Sequence, residues 1–345
     1  MRKSFKIIFA AEQRGGLDIF LPIIEKIKNR KFTVLLFSDN KNIYRFARNQ
    51  KIKCRLLTDS SFSNIEKIIK KINPDIVFAD TNDSDFKFSI AKKFIVASKK
   101  LNKKTVIILD SWDSYQKRLG SSLPNTILAI DRKMKDDLEK LGIPQAIIKI
   151  TGSPRFDILS GGKKVKERKN LVIFYSQPLS RRNLHELQIF RDIVGVLEGV
   201  YPEKEIIIKF HPTKENDEKN RKKYDHIIKN SILKIKKAGK QEDSKRLAQK
   251  AELTIGMNSI ALVDASLMGK RVVSYQPGKN KKNDTLLSNK NGWSFPVYKK
   301  EKLDSALRNI FRKPLAKKEE FEKYTRNNST YKVINFINNI LKNGS

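Results

Sequence analysis

Thr254-Ile255-Gly256-Met257-Asn258-Ser259-Ile260-Ala261-Leu262-Val263-Asp264-Ala265 reads as a buried strand, a glycine turn and a helix that opens on small polar residues. A strand that feeds a helix through a tight turn is the repeating unit of a parallel α/β sheet. The first N–H groups of such a helix have no intrahelical acceptor. With the Asn258 and Ser259 side chains beside them they make an anion site, with Met257 in the same turn. Asp264 falls one and a half turns further in, where it can accept from ribose hydroxyls. An N-cap serine alone would be ordinary. It does not account for a carboxylate inside an otherwise apolar, small-residue helix.

Upstream, residues 205–210 form a second strand, which delivers His211-Pro212 to the same carboxyl edge, where ligands of parallel sheets bind. A histidine can donate to a phosphate oxygen, and Pro212 stiffens the turn that aims it. Lys209 lies two residues earlier on the same strand face. A lone His-Pro would be an ordinary capping or loop histidine; its place beside the Gly256–Asp264 stretch is what raises it. Downstream, residues 271–275 return as a strand.

The same alternation runs through the whole chain. In the first half, strands are expected over 5–10, 33–38, 54–57, 75–79, 105–109 and 126–129, with helices over 17–29, 42–50, 64–72, 88–101 and 133–141. Gly142 and Pro144 stop the last of these. After a basic, glycine-containing stretch at 161–169, strands are expected over 171–175, 205–210, 232–235, 253–255 and 271–275, with helices over 184–197, 244–249 and 259–268. The layout predicts an α/β protein of two Rossmann-like domains facing a cleft: 1–155, then 156–328. A last helix over 330–342, within a tail from 329 to 345, is expected to return and brace the first domain.

Composition narrows the class. At 345 residues and 39% hydrophobic, the chain can bury two cores. Its apolar runs are strand-length, none approaching the ~20 residues of a membrane span, and the start lacks a secretory leader. A single cysteine, Cys54, excludes an internal disulfide or a multi-cysteine metal site. A cytoplasmic location is expected, including the inner face of the membrane. The net charge of +36 is spread along the chain without interleaved aromatics, and abundant Lys, Asn and Ile point to A/T-rich codons. Nucleic acid is therefore not the expected partner. A weak attraction to an anionic membrane surface is.

Taken together, Lys209-Phe210-His211-Pro212, Gly256-Met257-Asn258-Ser259, Asp264-Ala265-Ser266-Leu267-Met268-Gly269-Lys270 and Val272-Val273-Ser274-Tyr275-Gln276-Pro277 resemble the carboxyl-terminal domain of the GT-B superfamily. That group holds glycosyltransferases, UDP-N-acetylglucosamine 2-epimerases, bacterial sialyltransferases and CDP-glycerol glycerophosphotransferases. The resemblance implies that His211 and Ser259 bind the donor's phosphates and that Asp264 holds its ribose. Tyr175-Ser176-Gln177-Pro178 resembles the loop after the second domain's first strand. Ser176 and Gln177 would face the diphosphate there, with Arg181 and Arg182 near enough to neutralise it. Ile150-Thr151-Gly152-Ser153-Pro154-Arg155-Phe156-Asp157 resembles the stretch that closes the first domain. The layout matches over most of the chain; the specific motifs cluster in 150–278.

In the first domain, Ala10-Ala11-Glu12-Gln13-Arg14-Gly15-Gly16-Leu17-Asp18 follows a strand and opens a helix. Gly15 and Gly16 allow a close backbone approach by a ligand, and in related enzymes this loop, here with Glu12, faces the acceptor. It is not GxGxxG, and no Walker A sequence occurs, so a dehydrogenase or P-loop ATPase is not expected. Leu109-Asp110-Ser111-Trp112-Asp113-Ser114-Tyr115 leaves another strand end with two carboxylates and two aromatic rings. That combination suits a sugar, although a surface loop with one buried Trp reads equally well.

The function expected from the resemblance is an inverting, metal-independent glycosyltransferase. It would move a sugar from a nucleotide-activated donor to a polysaccharide or lipid-linked acceptor, without a cofactor. Inversion requires a base for the acceptor hydroxyl and positive groups for the leaving diphosphate. Asp18 and Asp113 rank highest as base, ahead of Glu12 and Asp110, and His211 supports the leaving group. Asp83-Ser84-Asp85 has the spacing of a metal motif but reads as a solvated turn. The alternatives are a nucleotide-sugar 2-epimerase and a CDP-glycerol-type polyol phosphate transferase. Against the epimerase, Ile260-Ala261 and Asp264-Ala265 stand where that family carries a glycine pair and two glutamates.

Overall fold

The computed structural model describes residues 4–28, 31–81, 85–112, 114–120, 122–160, 165–177, 186–211, 218–240, 242–312 and 318–342. Two compact units result. The first is Met1–Ile158 with Tyr324–Ser345; the second is Leu159–Lys323.

In the first unit the chain alternates β1 (Phe5–Ala10), α1 (Arg14–Ile27), β2 (Phe32–Ser38), α2 (Lys41–Asn49), β3 (Cys54–Leu56), α3 (Phe62–Ile72), β4 (Ile76–Ala79), α4 (Ile90–Lys100), β5 (Lys104–Ile108), α5 (Tyr115–Leu119), β6 (Thr126–Ala129), α6 (Arg132–Lys140), β7 (Ile148–Ile150) and α7 (Pro154–Ser160). All seven strands are parallel, in the order β3-β2-β1-β4-β5-β6-β7. Helices over both faces of a parallel sheet require strands apolar on both sides, so Ile7-Ile8-Phe9-Ala10 is a continuous buried run without alternation. The chain doubles back between β1 and β4, which makes their carboxyl ends the switch point where ligands bind such sheets.

The second unit contains β8 (Arg168–Tyr175), α8 (Glu186–Val200), β9 (Glu205–Lys209), α9 (Glu218–Lys222), α10 (Asp225–Asn230), β10 (Lys234–Lys237), α11 (Ser244–Lys250), β11 (Ala251–Gly256), α12 (Ile260–Leu267), β12 (Arg271–Tyr275), α13 (Leu287–Lys290), β13 (Phe295–Val297) and α14 (Leu303–Ile310). Its parallel sheet runs β10-β9-β8-β11-β12-β13, with the switch point between β8 and β11. After α15 (Lys318–Thr325), the last helix α16 (Ser329–Lys342) packs in the first unit.

Three strands depart from the sequence reading. The strand expected over 232–235 is β10, displaced to Lys234–Lys237. Glu198 Oε1 accepts from the Ser231 hydroxyl and the Ile232 N–H, which holds those residues in the preceding turn, so pairing starts at Lys234 opposite Glu205. The edge strands β7 and β13 were not expected at all. Each is three residues long and partly exposed, too short to set a pattern.

α16 is seated at its start by the stretch Thr151–Asp157. Asp157 accepts from the Ser329 N–H (3.1 Å), the Thr330 N–H (2.7 Å) and the Thr330 hydroxyl (2.7 Å). Gly152 has φ +79°, and a Cβ there would fall 2.2 Å from Ser329 Oγ, so only glycine lets the two segments meet. Along the helix, Val333, Ile334, Ile337 and Leu341 face the core around Leu17, Phe20 and Ile24. Asp157→Ala removes a cap from an apolar helix and should cost the first unit about 2 kcal/mol. Denaturant melts with amide exchange over residues 329–341 check it; an unchanged midpoint would mean that the apolar face alone holds the helix.

Candidate functional site

Each sheet carries a polar cluster at the carboxyl ends of its switch-point strands. In the second unit, β11 ends at Gly256 and the chain enters α12 with Ser259 as N-cap, its hydroxyl accepting from the Ala261 N–H at 3.2 Å. The Asn258 N–H donates to Gln177 Oε1 (2.6 Å), and Gln177 Nε2 donates back to the Asn258 carbonyl (2.7 Å). The Asn258 side chain donates to the Thr285 hydroxyl at 2.9 Å. Ser176 is buried at the end of β8, its N–H on the Lys209 carbonyl at 3.1 Å, which joins the β8 loop to the strand that carries His211. His211 itself is half-buried just past β9.

Asp264 is buried on α12, 3% exposed. It makes itself felt at Tyr175, whose hydroxyl donates to the Ser244 carbonyl at 2.7 Å. Burial, then the carboxylates of Asp264 and Asp243, push that phenol far above its ordinary pKa. Behind the turn, the Met257 carbonyl accepts from Ser274 Oγ (2.6 Å), which in turn accepts from Gln276 and Asn289. Both amides also reach Asp284, which takes further bonds from the Leu286 N–H and the Tyr298 hydroxyl. Burial works to raise the Asp284 pKa, but these donors outweigh it and hold the carboxylate below its usual range. The network fixes the carboxyl edge of β12; none of it beyond Met257, Ser274 and Gln276 was noticed in the sequence.

In the first unit the cluster is acidic. Asp80, directly after β4, is 3% exposed, and its Oδ2 accepts from the Glu12 N–H (2.9 Å) and the Gln13 N–H (3.2 Å). Its Oδ1 has no hydrogen-bond partner among the described residues. Glu12 Oε1 accepts from the Ser89 hydroxyl (2.7 Å) and the Ala91 N–H (2.6 Å), and so seats the start of α4. Asp110 pairs with Arg118 at 2.7 Å and accepts from the Thr81 hydroxyl at 3.1 Å. Burial, the Glu12 charge and the Asp110 charge together hold the Asp80 carboxyl well above its ordinary pKa. Asp110 is raised by burial despite Arg118. A cavity of about 310 Å³ lies beside them, between α4 and α5, lined by Asp80, Ser89, Lys92, Ile107, Arg118 and Phe86.

The structure thus brings Glu12, Gly15, Gly16 and Asp110 to one edge. The close approach that the glycines permit is made by the protein's own carboxylates. A Cβ on Gly16 would meet Asp80 Cβ at 2.2 Å, and one on Gly15 would meet Asp110 Oδ2 at 3.0 Å. Asp18 is buried on α1, paired with Arg14 Nε at 2.7 Å, and that guanidinium lies 3.6 Å over the Phe46 ring. Trp112 belongs to the core: it stacks on Phe156, and its indole N–H donates to Asp131 at 3.0 Å. Asp113, Arg181, Arg182, Pro212, Asp83 and Ser84 lie outside the described residues. Asp80 is the residue that sequence reasoning missed. Its signal was its place, the first polar residue after the strand that flanks β1.

Among the described residues no group of three His, Cys, Asp or Glu side chains is arranged to hold a metal ion, and no helix is long and apolar enough to cross a membrane.

No protein-family model and no curated protein sequence matches the chain. Solved structures do. A UDP-GlcNAc 2-epimerase from Neisseria meningitidis, bound to UDP-GlcNAc, superimposes with a TM-score of 0.72 at 14% identity, over 96% of this chain and 99% of that one. The UDP-GlcNAc 2-epimerase from Methanocaldococcus jannaschii gives 0.70 at 15% identity, over 97% and 99%. A glycosyltransferase from Rickettsia africae gives 0.60 at 16% identity, over 99% and 97%. With both of its parallel sheets matched nearly end to end, this chain has the GT-B fold, which these epimerases and glycosyltransferases share.

Proposed function

We propose that the protein is an enzyme acting on a nucleotide-activated sugar, and specifically a glycosyltransferase that inverts at the anomeric carbon and needs no metal. The observation that carries the nucleotide half is the braced start of α12 at the second switch point. There the helix N-terminus, the Ser259 hydroxyl and His211 suit a diphosphate, and the buried Asp264 suits a ribose. A structural neighbour that holds UDP-GlcNAc makes a uridine nucleotide the first to test. In this reading the leaving diphosphate is steadied by His211 and the first turn of α12. A carboxylate of the first unit takes the acceptor's hydroxyl proton, as that oxygen attacks the anomeric carbon and the diphosphate departs.

Titration calorimetry with UDP, CDP and CMP species is the direct test. Saturable binding of one of them is expected, and none at all would sink the proposal. Ser259→Ala and His211→Ala should each weaken that binding by ~1–3 kcal/mol, the value of a hydrogen bond to a charged phosphate.

Epimerisation is the second reading, favoured by the first unit's cluster. Asp80, its carboxyl held well above the ordinary pKa, lies in one cluster with Glu12 and Asp110, and such a set of acids suits the proton donor and acceptor that inversion at a carbon requires. Incubating one nucleotide sugar without any acceptor separates the two: an epimer forms in this case and not in the first.

A further inference from the structure

We propose that Gln177 is a positioning residue of the nucleotide half-site, one that sets the backbone of the Met257–Ser259 turn before any ligand arrives; the inference rests on the reading of that turn as a phosphate site. β8 and β11 pair in register up to Phe174 opposite Ile255. Beyond that the chains must part, because β8 leads on to β9 on one side and β11 to β12 on the other. Gln177 and Asn258 stand three residues past that last pair on each strand, still opposite one another. The backbone ladder cannot follow them there, and the Gln177 amide takes its place. Its Oε1 accepts the Asn258 N–H and its Nε2 donates to the Asn258 carbonyl, at 2.6 and 2.7 Å. Both ends of the side chain are thus spent on the backbone of one residue, across its two flanking peptide groups.

Two neighbours make the same turn rigid. Gly256 passes so close to β8 that a Cβ would lie 3.2 Å from the Tyr175 carbonyl, and the Asn258 side chain is held by Thr285. With the Asn258 N–H bonded to Gln177 and the Ala261 N–H to Ser259 Oγ, the Ser259 and Ile260 N–H groups at the helix start have no acceptor among the described residues and are open to an anion. Donors fixed in advance need not be ordered on binding, and that saving appears as affinity.

Gln177→Met keeps the side chain's length and removes both bonds. Amide exchange on the ligand-free protein should show the Asn258 N–H protected in the wild type and exchanging at least about tenfold faster in the variant. The change should be confined to residues 257–260, with Tm nearly unmoved. UDP affinity should fall about tenfold, as for the loss of one to two ordering contacts. Unchanged exchange with weakened UDP binding would overturn the inference, since Gln177 would then touch the nucleotide itself. Faster exchange across the whole second unit would overturn it too, as a general structural role. Failure of the wild type to bind UDP or any other nucleotide counts against the proposed function instead; the exchange result, which needs no ligand, still decides whether Gln177 holds the turn.

Discussion

Gly16→Ala should destabilise the first unit by about 3 kcal/mol or more, although alanine is the better helix former at a position inside α1. Helix propensity alone favours the substitution by up to ~1 kcal/mol. Sterics reverse the sign. The new Cβ would lie 2.2 Å from Asp80 Cβ and 2.3 Å from its Oδ2. Asp80 cannot retreat, because it continues β4 and its Oδ2 is held by the Glu12 and Gln13 N–H groups. Nor can α1, whose Leu17, Phe20, Ile23 and Ile24 are packed into the core. Overpacking at a site where neither side can move belongs at the upper end of the usual cost. Gly15→Ala is the control. Its Cβ would press only on the carboxylate tip of Asp110 at 3.0 Å, with Arg155 at an ordinary contact distance of 3.8 Å, so it should cost less than about 1 kcal/mol. Urea melts of both variants check the pair. If Gly16→Ala falls within 1 kcal/mol of the wild type, the close packing of α1 on Asp80 is not what the glycine is for.

The two half-sites differed in how much of them could be read from the sequence, and the difference is one of locality. In the second unit the strand, turn and helix that hold Gly256, Asn258, Ser259 and Asp264 are contiguous, so a single stretch displays the arrangement. Central strands were visible for a similar reason. Ile7–Ala10 and Leu171–Tyr175 are buried on both faces and therefore apolar throughout. Asp80 is the opposite case. Its environment is assembled from the end of β4, the N–H groups after β1, a glycine on α1 and the acids Glu12 and Asp110, segments far apart in the chain. No local pattern announces such a meeting. Gln177 shows a third kind of illegibility: its place beside the phosphate turn was readable, but its bonding to both backbone groups of Asn258 is a matter of register three residues past the last strand pair.

Asp80→Asn should make the first unit more stable at neutral and alkaline pH while impairing whatever reaction the cluster serves. Burial and the charges of Glu12 and Asp110 raise the folded-state pKa of Asp80 well above the unfolded value of ~3.9. A group raised on folding contributes its full stability below the unfolded pKa and loses it as pH climbs through the folded one. The wild type should therefore weaken as pH rises above ~4, by up to ~1.4 kcal/mol for each unit that separates the two values. Asparagine carries no such charge. Its carbonyl can still accept from the Glu12 and Gln13 N–H groups, and its amide N–H takes the position of Oδ1, which lacks a partner among the described residues. The variant and the wild type should melt nearly together at pH 4 and diverge as the pH is raised from there to 8, levelling off once the folded-state pKa is passed, with Asp80→Asn the higher. Curves that stay parallel across that range would mean that Asp80 ionises as freely folded as unfolded. A variant that is more stable yet less active is the expected mark of a residue kept for chemistry, since a buried acid crowded by two others is a strain that packing alone would not retain.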